Sequence, residues 1–137
     1  MRLALFLVSL SLAVPAAGAR QQLDTLTPAQ AISRAAAASP KPVRAVFQLK
    51  VGSAAKARGG YYLDSDSNFR SAANLGIVIR PSAMRGLTQK YGQDLKSAFV
   101  GKTIKVIGQV RRLAMARGKA TATQIEVTRA GQILSVS

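Results

Sequence analysis

Apolar and polar positions alternate most clearly near the C-terminal end of the chain. Ile104-Val106-Gly108-Val110 and Thr121-Thr123-Ile125-Val127 each mark one face of a half-buried strand. A third alternating run starts at Val43, where odd positions through Val51 are apolar while Arg44, Gln48 and Lys50 face the other way. Tyr61-Tyr62-Leu63 is a short strand, and Leu75-Gly76-Ile77-Val78-Ile79 is apolar enough to be buried on both faces. After Pro81 the period changes. Met84, Leu87, Tyr91, Leu95 and Phe99 recur at spacings of three and four, which predicts a helix with one face on a core, and Gly92 is placed to split it in two.

Ahead of these elements, Thr27-Pro28 reads as an N-cap followed by proline at the first helical position. Ala29 to Ala38 is helix-prone, and Pro40 and Pro42 end the helix. Residues 20–27 are polar and read as a loose lead. Residues 1–19 have the layout of a secretory signal: Arg2, an apolar run from Leu3 to Val14, then Ala17-Gly18-Ala19. That apolar run is shorter than the ~20 residues of a spanning helix, so no stable membrane insertion is expected.

The order that results is three strands, a helix and two strands. It predicts an all-β fold with one inserted helix, a small five-stranded barrel (β-β-β-α-β-β) of the oligonucleotide/oligosaccharide-binding (OB) type. The division is residues 1–19 as signal peptide, 20–41 as lead and short Ala-rich helix, and 42–137 as the barrel domain.

Gly101-Lys102-Thr103-Ile104-Lys105-Val106-Ile107-Gly108-Gln109-Val110, followed by Gln124-Ile125-Glu126-Val127, resembles the closing half of bacterial exported OB-fold domains. Tyr62-Leu63-Asp64 and Asn74-Leu75-Gly76-Ile77-Val78-Ile79 are similar to the middle of the same domains, so the likeness covers roughly residues 43–134. It implies a nucleic-acid-binding type of barrel. OB domains also bind sugars and proteins, so the ligand stays open.

Charge narrows that choice. Twenty Lys and Arg against five Asp and Glu give a formal +15, and cleavage after Ala19 would remove only Arg2 from it. Such an excess favours anionic partners: nucleic acid, acidic polysaccharide or phospholipid head groups. The chain contains neither Cys nor His, which removes disulfides, the usual general base near neutral pH and the commonest metal ligand.

In an OB barrel the loops joining strands one to two and four to five flank the ligand face. Here residues 52–60 read as a flexible loop carrying Lys56 and Arg58, and residues 111–120 as a loop carrying Arg111, Arg112, Arg117 and Lys119. Tyr62 is the better stacking platform of the tyrosine pair, because Leu63 takes Tyr61 with it toward the core, and Arg70 follows Phe69 near the same face. Lys56, Arg58, Tyr62, Arg70, Arg111, Arg112, Arg117 and Lys119 are therefore the expected binding residues.

Three catalytic look-alikes are set aside. Ser53-Ala54-Ala55-Lys56 matches S-x-x-K but sits in the expected loop without partner motifs. Gly101-Lys102-Thr103 lacks the first glycine of a phosphate-binding loop, since Lys96 stands there. Asp64-x-Asp66-x-Asn68 opens like a calcium loop, but Phe69 replaces its glycine and Leu75 its closing glutamate. The expectation is a non-enzymatic exported module for single-stranded nucleic acid or another polyanion, with no cofactor or metal. The alternative is an envelope-associated module that binds protein or acidic glycan.

Overall fold

The computed structural model describes residues 22–114 and 121–137. The signal-peptide expectation for residues 1–19, and the cations Arg117 and Lys119, lie outside the described residues. Within them the chain is mostly β with a few helices, in the order β1 (Thr25–Leu26), α1 (Pro28–Ala38), β2 (Val43–Lys50), β3 (Ser53–Ala57), β4 (Gly60–Asp64), β5 (Leu75–Ile79), α2 (Pro81–Tyr91), α3 (Leu95–Phe99), β6 (Thr103–Ala114), β7 (Thr121–Val127) and β8 (Ile133–Val136).

The strands form one sheet in the order β1-β2-β6-β7-β5-β4-β3, with β8 pairing β6. Neighbours are antiparallel except β1 with β2 and β5 with β7. This is OB-like in its succession of elements, yet the expected closed barrel of five strands is not what forms. The sheet has eight strands, and its ladder ends at β1 on one side and β3 on the other.

At two adjacent residues the chain crosses from one side of the ladder to the other. The Val51 amide donates to the Lys102 carbonyl, and the Val51 carbonyl accepts from Gly101, so Val51 still belongs with β6. The next amide, Gly52, donates to Asp64 and joins the chain to β4. The run from Val43 to Ala57 thus changes partners midway. A Cβ on Gly52 would stand 3.0 Å from the Ser65 carbonyl oxygen, tighter than ordinary contact against backbone, so the crossing favours a residue without a side chain.

Two expected loops are thereby corrected. Residues 52–60 are not a flexible loop: Ser53 to Ala57 is strand β3, hairpinned onto β4 through Arg58 and Gly59. Residues 111–120 are not all loop either, because β6 continues through Ala114 opposite Thr121. The lead is also ordered at Thr25–Leu26, where β1 pairs with Val46 and Phe47, and Leu26 is buried.

The helices follow the periodicity closely. Thr27 caps α1, its hydroxyl accepting from the Gln30 amide while Gln30 reaches back to the Thr27 amide. Ala31 and Ala35, rather than Ile32, bury into the sheet. The predicted helix splits at Gly92, whose φ of 97° closes α2. Leu87, Leu95 and Phe99 then join Phe47, Leu63, Ile77, Ile104, Val106 and Ile125 in one core that also takes in Leu26, Ala31 and Ala35.

Candidate anion interface

Strand pairing assembles a second face of the sheet, opposite the core. Tyr62 pairs with Val78, and Val78 with Glu126. In the next row, Asp64 pairs with Gly76, Gly76 with Gln124, and Gln124 with Arg111. One step further along β6, Gln109 brings in Arg44 from β2. Side chains alternate along a strand, so Gln109, Arg111 and Leu113 share this outer face while Arg112 leaves from the other side.

Two concavities border this face, and Gln124 belongs to the rim of both. The first is an open groove of about 430 Å³, where Arg44, Arg80, Arg111 and Arg129 surround a single carboxylate, Glu126. Arg80 precedes Pro81 at the start of α2, and its Nε lies 3.2 Å from Glu126 Oε1. Among the described residues, Arg44, Arg111 and Arg129 have no acidic partner.

Gln132 fixes the end of the groove. Its Oε1 accepts from the amides of Thr128 at 2.8 Å and Arg129 at 3.1 Å, while its Nε2 donates to the carbonyls of Ile107 and Glu126, both at 3.1 Å. These bonds tie the turn after β7 to β6, and so hold the backbone of Arg129 beside the groove.

The second cavity, about 550 Å³, lies around the end of the sheet. Ile32 and Ala36 of α1 form one wall, and Tyr62, Asp64 and Phe69 another, with Arg112 at its edge. Burial pushes the Asp64 carboxyl above the usual carboxylate range, against the hydrogen bond from Asn74 Nδ2 at 2.8 Å that holds it down. The loop carrying Phe69 is stapled by the same asparagine, whose Oδ1 accepts from the Asp66 amide and whose Nδ2 also donates to the Phe69 carbonyl. The Asp66 side chain accepts from the Asn68 amide, which is the behaviour of an Asp-Ser turn.

The eight residues expected from the sequence therefore scatter. Arg111 lines the first groove, and Tyr62 and Arg112 line the second cavity. Tyr61 packs against the core, as the alternation requires. Lys56 is exposed on β3 opposite Tyr61, and Arg58 is exposed in the hairpin turn; neither borders the two cavities. Arg70 stands over the exposed Phe69 ring, its guanidinium carbon 5.4 Å from the centroid.

Arg44, Arg80 and Arg129 were missed from sequence. Arg44 carried a signal, since it occupies a polar position of an alternating strand. Arg80 lies at the start of α2, 46 residues from Glu126, where only the fold brings the two together, whereas Arg129 follows Glu126 closely in the chain just past the end of β7. Ser53 and Lys56 of the S-x-x-K look-alike stand on β3 rather than in a loop. Among the described residues no three His, Cys, Asp or Glu side chains gather as metal ligands, and no helix is long and apolar enough to cross a membrane.

No protein-family model and no curated protein matches the chain. Among solved structures it is similar to a chain described as an aspartyl-tRNA synthetase from Leishmania major Friedlin, at 8% identity and a TM-score of 0.49. The match covers 82% of this chain and 21% of that one. A likeness at that level carries no argument about function, which rests here on the chain's own residues.

Proposed function

We propose that this chain is a basic, exported OB-like binding module for polyanions, single-stranded nucleic acid first among them, and that it carries out no catalysis. The observation that supports it most is the first groove. Three arginines without acidic partners among the described residues and a fourth shared with Glu126 converge on one concave surface of a chain whose formal charge is +15. Guanidinium groups fit phosphate oxygens in pairs, and a concave basic surface concentrates them along a backbone. Export rests on the signal-like layout of residues 1–19.

A competition panel at two salt concentrations tests the reading, using single-stranded DNA, RNA, duplex DNA, heparin and anionic vesicles. Preferential, salt-sensitive binding of single strands is the expected result. Equal binding of heparin and single strands would make the groove a general polyanion site, and binding to none of the five would refute the proposal.

A further inference from the structure

The second cavity contains a group that anion binding does not use. Asp64 lines it, half-buried, where a carboxylate repels phosphate. Its hydrogen-bond partner, Asn74, is committed on both sides of its amide: Nδ2 donates to Asp64 Oδ1 at 2.8 Å and to the Phe69 carbonyl at 3.3 Å, and Oδ1 accepts from the Asp66 amide at 3.0 Å. The carboxylate is thus held in a fixed orientation. It keeps lone pairs for a ligand that brings donors.

The walls describe the rest of that ligand. Tyr62 and Phe69 border the same cavity without stacking on each other, and Phe69 is 64% exposed, an unusual degree for such a ring. Alanines from α1, β3 and β7 complete a smooth apolar surface. Such a site suits a flat aromatic ring with one polar edge. Arg112 at the edge adds a positive charge, which suits a phosphate attached to that ring.

The donor pattern selects among bases. A carboxylate accepts two parallel hydrogen bonds only from two adjacent donors. On the pairing edge guanine presents N1–H beside its 2-amino group. Adenine and cytosine each set one amino donor beside a ring acceptor, and uracil and thymine set one N–H between two carbonyls.

We propose that this cavity is a guanine site, in which Asp64 accepts from N1–H and the 2-amino group while the ring stacks on Tyr62 or Phe69 and Arg112 faces the attached phosphate. For a guanine within a strand, the site deepens the nucleic-acid reading above and rests on it. For a free guanine nucleotide it stands alone.

The test is calorimetric titration of the full chain with GMP, IMP, AMP and CMP, then with an oligo-dT carrying one central guanine or one hypoxanthine. IMP lacks only the 2-amino group, so GMP should bind roughly tenfold or more tighter, the size of one lost hydrogen bond to a charged acceptor. Asp64→Asn, which preserves shape, should erase that difference. Phe69→Ala, in an exposed loop, should weaken all four nucleotides together if the ring stacks. A GMP preference that Asp64→Asn removes supports the site, in the free nucleotide, in the strand or in both. Equal affinity for GMP and IMP, or a preference that survives Asp64→Asn, overturns it. Salt-dependent binding of plain oligo-dT that persists in that case leaves the arginine groove intact as a separate reading.

Discussion

Arg80 and Glu126 form a pair across the outer face, Nε to Oε1 at 3.2 Å, with both side chains substantially exposed. Its energy is small, ~0–1 kcal/mol for an exposed pair. Its effect on binding is larger, because Glu126 is the one carboxylate lining the arginine groove and it occupies one of the four guanidinium groups there. Glu126→Gln should therefore bind single-stranded oligonucleotide more tightly. If the freed Arg80 meets one more phosphate, the slope of log affinity against log salt steepens by about 0.7. Weaker binding would instead mean that Glu126 holds Arg80 in its working position.

Arg111 and Lys90 separate a groove from mere charge. Arg111 lines the groove, whereas Lys90 lies over the Tyr91 ring on α2, away from both cavities. Arg111→Ala should flatten the salt slope by roughly 0.7, and Lys90→Ala should leave it unchanged. Equal losses in a fluorescence-anisotropy titration would make net charge the driving force.

Gln132 has a structural prediction of its own. Gln132→Leu leaves the Ile107 and Glu126 carbonyls and the Thr128 and Arg129 amides without their partner. The expected loss is ~1–3 kcal/mol in urea unfolding, with part of each group's hydrogen bonding recovered from water. Arg129 loses its backbone anchor as well, so oligonucleotide affinity should fall even at temperatures where the variant stays folded.

Asp64 makes stability depend on pH in a definite direction. Burial raises its folded-state pKa, so the folded protein holds this proton more tightly than the unfolded chain does. Its contribution is complete below the unfolded pKa and is lost as pH rises through the raised folded value. Asp64→Asn should therefore gain stability over the natural chain at neutral pH, and the gain should vanish in acid. The hydrogen bond from Asn74 works against burial by favouring the charged form, which limits the gain. Thermal melts of both proteins across that range would show a constant difference if the idea were wrong.

Gly60 tests the packing of the β3–β4 hairpin. An added Cβ would collide with the backbone carbonyl oxygen of Ile79, which cannot rotate away because it belongs to β5. Gly60→Ala should cost ~1–3 kcal/mol in the melt, as overpacking does. Gly131→Ala, where nothing lies within 4 Å, should be close to neutral.

Much of the element list was legible in the chain. Val43–Lys50 and the long alternation after Thr103 appear where period two predicts strands, Leu75–Ile79 where a continuous apolar run does, and Gly60–Asp64 around the expected Tyr61–Leu63, while Gly92 divides the helical region as its position suggested. What escaped were segments too short to show a period. Thr25–Leu26 has two residues, and Ile133–Val136 has four. Ser53–Ala57 escaped for another reason: alanines, serine and lysine have no apolar alternation, and β4 rather than composition makes them a strand.

Local sequence determined the periods, the caps and the charge, because each depends on neighbours a few residues away. It also determined that Tyr61 and Tyr62 point to opposite faces, which follows from the pleat alone. Which cations stand together was decided only in the tertiary structure. Arg44 and Arg111 are far apart in the chain and meet because β2 pairs with β6 in the register that sets Arg44 against Gln109. Arg111 and Arg112 are adjacent in the chain yet line different cavities, because successive side chains of a strand part. Proximity in sequence overstated one grouping and hid the other, since an anion site depends on the distances between charges, and those distances are set by strand register.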